Sequence, residues 1–188
     1  QSPMTAPWAN ELARKLVEWM ILRGDENHSP GFERYASFAA ENPSWPSVGL
    51  LRRRAEAALW DNKRDAATIL HYFAGNAPLT AKGKFAYARA LIVRGDRGAA
   101  EHQVRDAWQN DPFTAAIEQM VLAEFPGMVR PGDDRIRMRR RLYAEDTDAG
   151  LRASSRLSEA DRAIAKAWVA VDHKTANAKA LLEAVPDS

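Results

Sequence analysis

The sequence predicts an all-α protein, a solenoid of about eleven short antiparallel helices laid down in pairs. Three observations carry this. Pro43, Pro78 and Pro112 fall 35 and 34 residues apart, each closing a stretch of Ala-rich helical sequence. A period of that length is usual for stacked helix pairs, because one short hairpin cannot bury its apolar face and passes it to a neighbour. Ala occurs 35 times, and the dense Val/Ile/Thr alternation that strands need is found nowhere.

The elements follow in order. Residues 8 to 23 open the array with Trp8, Leu12, Leu16, Trp19 and Met20 at helical spacing, and Gly24 is placed to end the helix. A shorter helix over 32 to 41 carries Phe32, Tyr35, Ala36 and Ala39 and stops at Asn42-Pro43. From Ser47 a helix runs to Trp60, with Leu51, Ala55, Ala58 and Leu59 on one side. After the polar turn Asp61-Asn62-Lys63-Arg64 its partner shows Ala66, Ile69, Leu70 and Phe73. Thr80 to Arg94 and 97 to 109 form the next pair, broken at Gly95. In its second member Ala100, Val104, Ala107 and Trp108 stand at i, i+4, i+7 and i+8. Ala99-Ala100 lies 33 positions after Ala66-Ala67, and Ala107-Trp108 lies 34 after Phe73-Ala74. The two pairs are therefore expected to share a layout, with alanine where helices cross closely.

Beyond Pro112 the rhythm loosens. Phe113, Ile117, Met120 and Val121 mark a short helix ending near Pro126-Gly127, and a basic helix covers 133 to 142 after Arg130-Pro131-Gly132. Ala144 to Ala149 leads into a helix to Leu157. Ile164, Ala167, Trp168 and Val171 mark the next, and Ala178, Leu181, Leu182 and Val185 the last. The breaks at 126 to 132 read as an irregular repeat, so residues 1–188 are taken as a single helical domain with pairs of the tetratricopeptide kind.

A formal net charge of +2 with a pI near 9.0 is no nucleic-acid-binding charge, so nucleic acid is not an expected partner. The chain has no Cys, which removes disulfides, thiolate catalysis and cysteine-ligated metal. No apolar run approaches the roughly 20 residues of a membrane-spanning helix. The chain opens on Gln1 without a charged-then-apolar leader and closes on Val185-Pro186-Asp187-Ser188, which reads as the start of a linker. The expectation is a piece of a longer protein.

Candidate chemistry is sparse. His28, His71, His102 and His173 stand in no ligand motif, and no cofactor is expected, since no phosphate loop, dinucleotide fingerprint or nucleophile elbow is present. Glu11 and Glu18 lie two helical turns apart, but Arg14 and Lys15 sit within ion-pairing reach of them. Asp65 and Asp148 read as hairpin caps. Arg52-Arg53-Arg54 and the run Arg130, Arg135, Arg137, Arg139, Arg140 and Arg141 could grip carboxylates or phosphates, although Asp133, Asp134, Glu145 and Asp146 neutralise part of the second group. Five tryptophans, Trp8, Trp19, Trp60, Trp108 and Trp168, coincide with apolar stripes and are expected in the core. Trp45, in the Ser44-Trp45-Pro46 loop, could stack on a ligand or brace the turn. The candidate ligand-facing residues are Trp45, Arg52, Arg53, Arg137 and Arg140.

Several segments carry a resemblance. They are 12 to 19 (Leu-Ala-Arg-Lys-Leu-Val-Glu-Trp), 39 to 46 (Ala-Ala-Glu-Asn-Pro-Ser-Trp-Pro) leading into 50 to 56, and 78 to 85 with the Arg94-Gly95-Asp96 turn. The ending Trp108-Gln109-Asn110-Asp111-Pro112 and Leu142 to Asp146 follow. In this order they resemble the N-terminal superhelical (U-type) domain of soluble lytic murein transglycosylases, over most of residues 8 to 185. The resemblance implies a periplasmic parent enzyme that cleaves peptidoglycan between N-acetylmuramic acid and N-acetylglucosamine, leaving an anhydromuramyl end. It also implies a superhelix of paired helices serving a separate C-terminal lysozyme-like domain, whose catalytic Glu is typically followed by Ser. None of the twelve glutamates here precedes Ser. The chain is thus expected to be the non-catalytic scaffold, with no catalytic residue or metal of its own, meeting peptidoglycan through the parent enzyme. The alternatives are a tetratricopeptide-like adaptor for a protein partner and a polyanion binder built on the Arg130 to Arg141 region.

Overall fold

A computed structural model describes residues 7–24 and 30–186. The described residues hold eleven helices and no strand. They divide into two compact units, residues 1–86 and 87–188.

The first unit contains α1 (Pro7–Arg23), α2 (Phe32–Glu41), α3 (Val48–Asp61), α4 (Ala66–Ala74) and the start of α5 (Ala81–Arg94). Its interior is aliphatic and aromatic: Leu22, Tyr35, Leu51, Ala55, Leu59, Trp60, Ile69 and Phe85 are buried, with the Trp60 and Phe85 rings 5.8 Å apart. Two charged groups, the half-buried Arg54 and the buried Glu56, tie its helices end to side. Arg54 Nη1 on α3 donates to the carbonyls of Leu22 (2.5 Å) and Gly24 (2.9 Å), which have no intrahelical partner at the end of α1. Glu56, fully buried, accepts from the N–H groups of Leu79 (2.7 Å) and Thr80 (2.8 Å) and from the Thr80 hydroxyl, at the start of α5. Gly83 makes room for this acid, since a Cβ there would displace the Glu56 carboxylate.

The second unit contains the rest of α5, then α6 (Arg97–Asn110), α7 (Ala115–Glu124), α8 (Pro131–Tyr143), α9 (Thr147–Ser155), α10 (Glu159–Asp172) and α11 (Ala178–Glu183). One apolar cluster joins α8, α9 and α10 through Met138, Leu142, Ala153, Leu157 and Ala165. Gly150 lets α9 lie against Leu142 of α8, where a Cβ would collide. Side-chain caps start four helices here: Asp96 accepts from Ala99 N–H, Thr114 from Ile117, Asp146 from Ala149 and Ser158 from Asp161.

Four helix pairs turn by one device. After α3, α5, α8 and α10 a residue adopts positive φ: Lys63 (47°), Gly95 (90°), Glu145 (60°) and Lys174 (51°). In each case its N–H bonds back three residues and the next N–H bonds back five. Lys63 N–H reaches Trp60 O at 3.2 Å while Arg64 reaches Leu59 O; Gly95 and Asp96 reach Ile92 and Leu91. Glu145 and Asp146 reach Leu142 and Arg141, and Lys174 and Thr175 reach Val171 and Ala170. This is the Schellman closure, which satisfies the last carbonyls of a helix and reverses the chain.

Several expectations are corrected. Asp65 does cap α4, accepting from Thr68 N–H at 3.0 Å, but the cap of α9 is Asp146, and Asp148 lies inside that helix. Lys15 pairs with Glu11 at 3.0 Å, whereas Glu18 reaches across to Arg34 on α2 at 2.7 Å because the turn of α1 aims it at its neighbour. Of the five tryptophans expected in the core, Trp60 and Trp108 are buried, Trp19 is half-buried, and Trp8 (70% exposed) and Trp168 stand at the surface. The buried positions Ile69 and Phe73 recur as Val104 and Trp108, an offset of 35. Ala67 and Ala74 therefore face solvent where Ala100 and Ala107 are buried.

Candidate ligand groove and arginine centre

In the first unit α2 and α4 stand apart over α3 and leave a groove of about 950 Å³. Its walls are made of small side chains. Ala36, Ser37 and Ala40 come from α2, and Ala67 and Ala74 from α4, with Gly75 just after it. Small residues open a groove because they bring the helix surface itself within reach of a ligand, at little cost to helix stability when the residue is alanine. Phe32 and Tyr72 also line it, edge to face with ring centroids 5.3 Å apart.

The polar groups of the groove are few. Arg52 enters from α3, and Glu33, Thr68, His71 and Asn76 stand around it. Arg52 Nε is buried and has no hydrogen-bond partner among the described residues. The Tyr72 phenol is pushed up by burial and by the charge of Glu56, against a hydrogen bond from Arg52 that draws it down. It therefore stays protonated and able to donate at neutral pH. Glu33 is held below the usual carboxylate range by the guanidinium of Arg64, 2.5 Å away. Asn76 Nδ2 donates to the Tyr72 carbonyl at 2.8 Å, closing the C-terminal end of α4.

The second unit gathers its charges inside. Glu118, fully buried, faces Arg156 Nη1 at 2.6 Å, Arg152 Nε at 3.3 Å and Arg137 Nη2 at 3.9 Å. Asp134 receives both Arg156 Nε (3.0 Å) and Nη2 (2.7 Å), together with Trp108 Nε1 at 3.0 Å. Asp133 accepts from Arg105 Nε and Nη2, from Gln109 and from the N–H of Arg130. Burial alone would raise the Asp133 carboxyl, but these donors outweigh it and hold the group below its ordinary value. Arg137 Nη1 donates to the carbonyls of Trp108 and Asp111, both at 2.9 Å, closing α6, and its guanidinium lies 3.7 Å from the Phe113 ring centroid. Desolvation pushes Arg137 down to about 10.

The residues singled out in the sequence separate accordingly. Arg52 lines the groove; Arg53, on the same helix, is exposed and outside it. Trp45 braces its turn, its ring perpendicular to Phe38 with centroids 5.9 Å apart and its backbone N–H donating to Asn42 O. Arg137 faces no ligand, because it is 0% exposed and engaged on backbone carbonyls; Arg140, three residues on, is exposed. The basic run also loses Arg130 to Glu101, Arg135 to Asp161, and Arg141 to Asn110 O and Asp146. Only Arg139 and Arg140 of that run stand exposed without an ion-pair partner among the described residues, so the continuous basic strip required of a polyanion site is not there.

Of the histidines, His71 lines the groove, His102 borders a small polar pocket with Glu101, Arg105 and Asp106, and His173 is exposed beside Asp172. His28 lies outside the described residues. Among the described residues no three His, Asp or Glu side chains gather as a metal site would need, and no helix is long and apolar enough to cross a membrane. Sequence reasoning missed Tyr72, Asn76 and the buried acids Glu56 and Glu118, and it named Asp134 only as a counter-charge to the basic run, whereas that acid pairs with Arg156. Glu118 follows Ile117 and precedes Met120 and Val121 in a mostly apolar helix, the one available signal of its burial.

Compared with known protein families, with curated proteins and with solved structures, the chain matches none.

Proposed function

We propose that this chain is the non-catalytic superhelical scaffold of a periplasmic lytic transglycosylase, holding peptidoglycan for a lysozyme-like domain elsewhere in the parent protein. What supports this reading is the resemblance of the ordered segments quoted above. One structural observation supports the scaffold role: the buried carboxylates Glu56, Glu118, Asp133, Asp134 and Asp161 are all engaged on backbone N–H groups, hydroxyls, tryptophan N–H or guanidinium groups. A glycosidase acid needs instead a carboxyl free to give its proton to the glycosidic oxygen, with a second group across the bond. Here acids and arginines join helices to one another.

The groove between α2 and α4 is the surface for binding. A muropeptide stem has a thin backbone that suits Ala and Gly walls, and a carboxylate that suits Arg52 beside the Tyr72 phenol. Purified sacculi are expected to retain the chain above an unrelated protein of similar pI. Arg52→Ala should lower retention several-fold, and Arg53→Ala should leave it unchanged. Equal retention of all three, or none beyond the control, would remove this function. The small-residue walls also favour a second reading, a tetratricopeptide-like adaptor that takes an extended protein segment. Retention of soluble acidic peptides that lack D-amino acids, with no retention on sacculi, would select it.

A further inference from the structure

Glu56 follows Arg52 by four residues on α3, so one helical turn separates the cation that enters the groove from a fully buried carboxylate. The charge of Arg52 acts on Glu56, and both act on the Tyr72 phenol in the groove wall. Arg52 therefore has a counter-charge inside the protein. Its Nε, enclosed and without a hydrogen-bond partner among the described residues, still leaves it a donor for a ligand.

The surroundings of Glu56 suit it with or without a proton. Leu79 N–H donates to one carboxylate oxygen at 2.7 Å, while Thr80 N–H (2.8 Å) and the Thr80 hydroxyl (2.5 Å) donate to the other. That hydroxyl also accepts from Gly83 N–H at 3.0 Å and has a second lone pair. When Glu56 takes up a proton on the oxygen beside Thr80, the short bond reverses and the acid O–H donates to Thr80 Oγ1. The two backbone N–H groups keep their acceptors, so the start of α5 stays anchored in both states.

We infer, on the reading of the groove as a carboxylate site, that Glu56 and a bound carboxylate compete for Arg52, so that filling the groove is coupled to proton uptake at Glu56. Two carboxylates beside one guanidinium repel each other, and the enclosed one sheds that cost by becoming neutral. The coupling is reciprocal: the ligand raises the proton affinity of Glu56, and protonated Glu56 raises the affinity for the ligand by the same factor. Burial already holds Glu56 above its ordinary 4.5. The ligand is therefore held most tightly below the folded value of Glu56 and is released as pH rises through it. Of the other titratable groups in the groove, Glu33 is kept ionised by Arg64 and Tyr72 stays protonated. His71 also lines the groove, so every measurement is made in a His71→Gln background.

The probe is N-acetyl-Ala-Ala, whose carboxylate stays ionised at and above the ordinary glutamate range; its amide is the control. NMR of the Glu56 carboxyl carbon in the whole chain is expected to show a midpoint that climbs with the dipeptide and stays fixed with the amide. Each unit of climb corresponds to a tenfold gain in affinity on protonation. In Arg52→Gln, which leaves Glu56 and its anchors in place, the midpoint should no longer respond. A midpoint indifferent to the dipeptide, or moved equally by the amide, would overturn the coupling, as would a dipeptide that leaves the Ala36 and Ala67 amides unshifted. On purified sacculi, retention should fall several-fold as pH rises through the Glu56 value, and Glu56→Gln should remove that fall. Sacculi retained with a flat profile would sink the coupling and leave the scaffold reading intact. Sacculi not retained at any pH, with the midpoint still moved by the dipeptide, would do the reverse.

Discussion

Arg137 and Arg140 are three residues apart on α8 and look alike in the sequence, yet they have opposite surroundings. The first closes the carboxyl end of α6 and shares Glu118 with Arg152 and Arg156; the second stands in solvent. Removing one partner from a buried charge network leaves the others uncompensated, so Arg137→Ala is expected to destabilise the second unit by about 3 kcal/mol. Arg140→Ala should not move the urea midpoint. The acid limb of stability is also set residue by residue. Asp133, Asp161 and Asp65 all have folded-state values held below the ordinary 3.8. A depressed carboxyl contributes stability that is complete above its unfolded value and is lost as pH falls through its folded one. Unfolding should therefore ease as pH drops below about 3.8, and Asp133→Asn should flatten that slope in urea titrations at stepped pH. Glu56 acts in the opposite sense. Burial raises it, so its contribution is present below its unfolded value and lost as pH rises through its folded one.

At the scale of elements, four turns with one hydrogen-bond pattern set the course of the chain, and only Gly95 among their αL residues is a glycine. Lys63, Glu145 and Lys174 hold positive φ against the steric cost that a Cβ brings there. Lys174→Gly and Glu145→Gly should each stabilise their hairpins by up to about 1 kcal/mol, seen as a raised melting temperature, while Gly95→Ala should lower it. This pattern also explains what the sequence made legible. Helix positions could be read because apolar spacing and Pro or Gly breaks mark them directly: α2 was expected over 32 to 41 and lies at Phe32–Glu41. The turn chemistry at Lys63, Glu145 and Lys174 could not, since nothing local distinguishes these residues from ordinary surface charges. The groove was half legible. Arg52 was singled out by its charge, but Ala36 and Ala67 read as packing residues, because spacing does not say whether a neighbour stands opposite an alanine. Arg137 was misplaced for a related reason: its neighbours in the run are charged, and the carbonyls that draw it inward are 26 and 29 residues earlier in the chain.

The whole molecule combines two interiors of different character. The unit of residues 1–86 is built on aliphatic and aromatic contacts with Arg54 and the buried Glu56 at helix ends, whereas that of residues 87–188 encloses a network of arginines and carboxylates beside its apolar cluster. Desolvating ions costs less as temperature rises, while apolar stabilisation per unit area levels off. Each unit also contains one fully enclosed indole, Trp60 in the first and Trp108 in the second. With the remaining indoles replaced by phenylalanine, these two chromophores become separate optical gauges of the two halves. Emission traces during heating would then reveal whether the molecule comes apart in a single event or loses one half before the other.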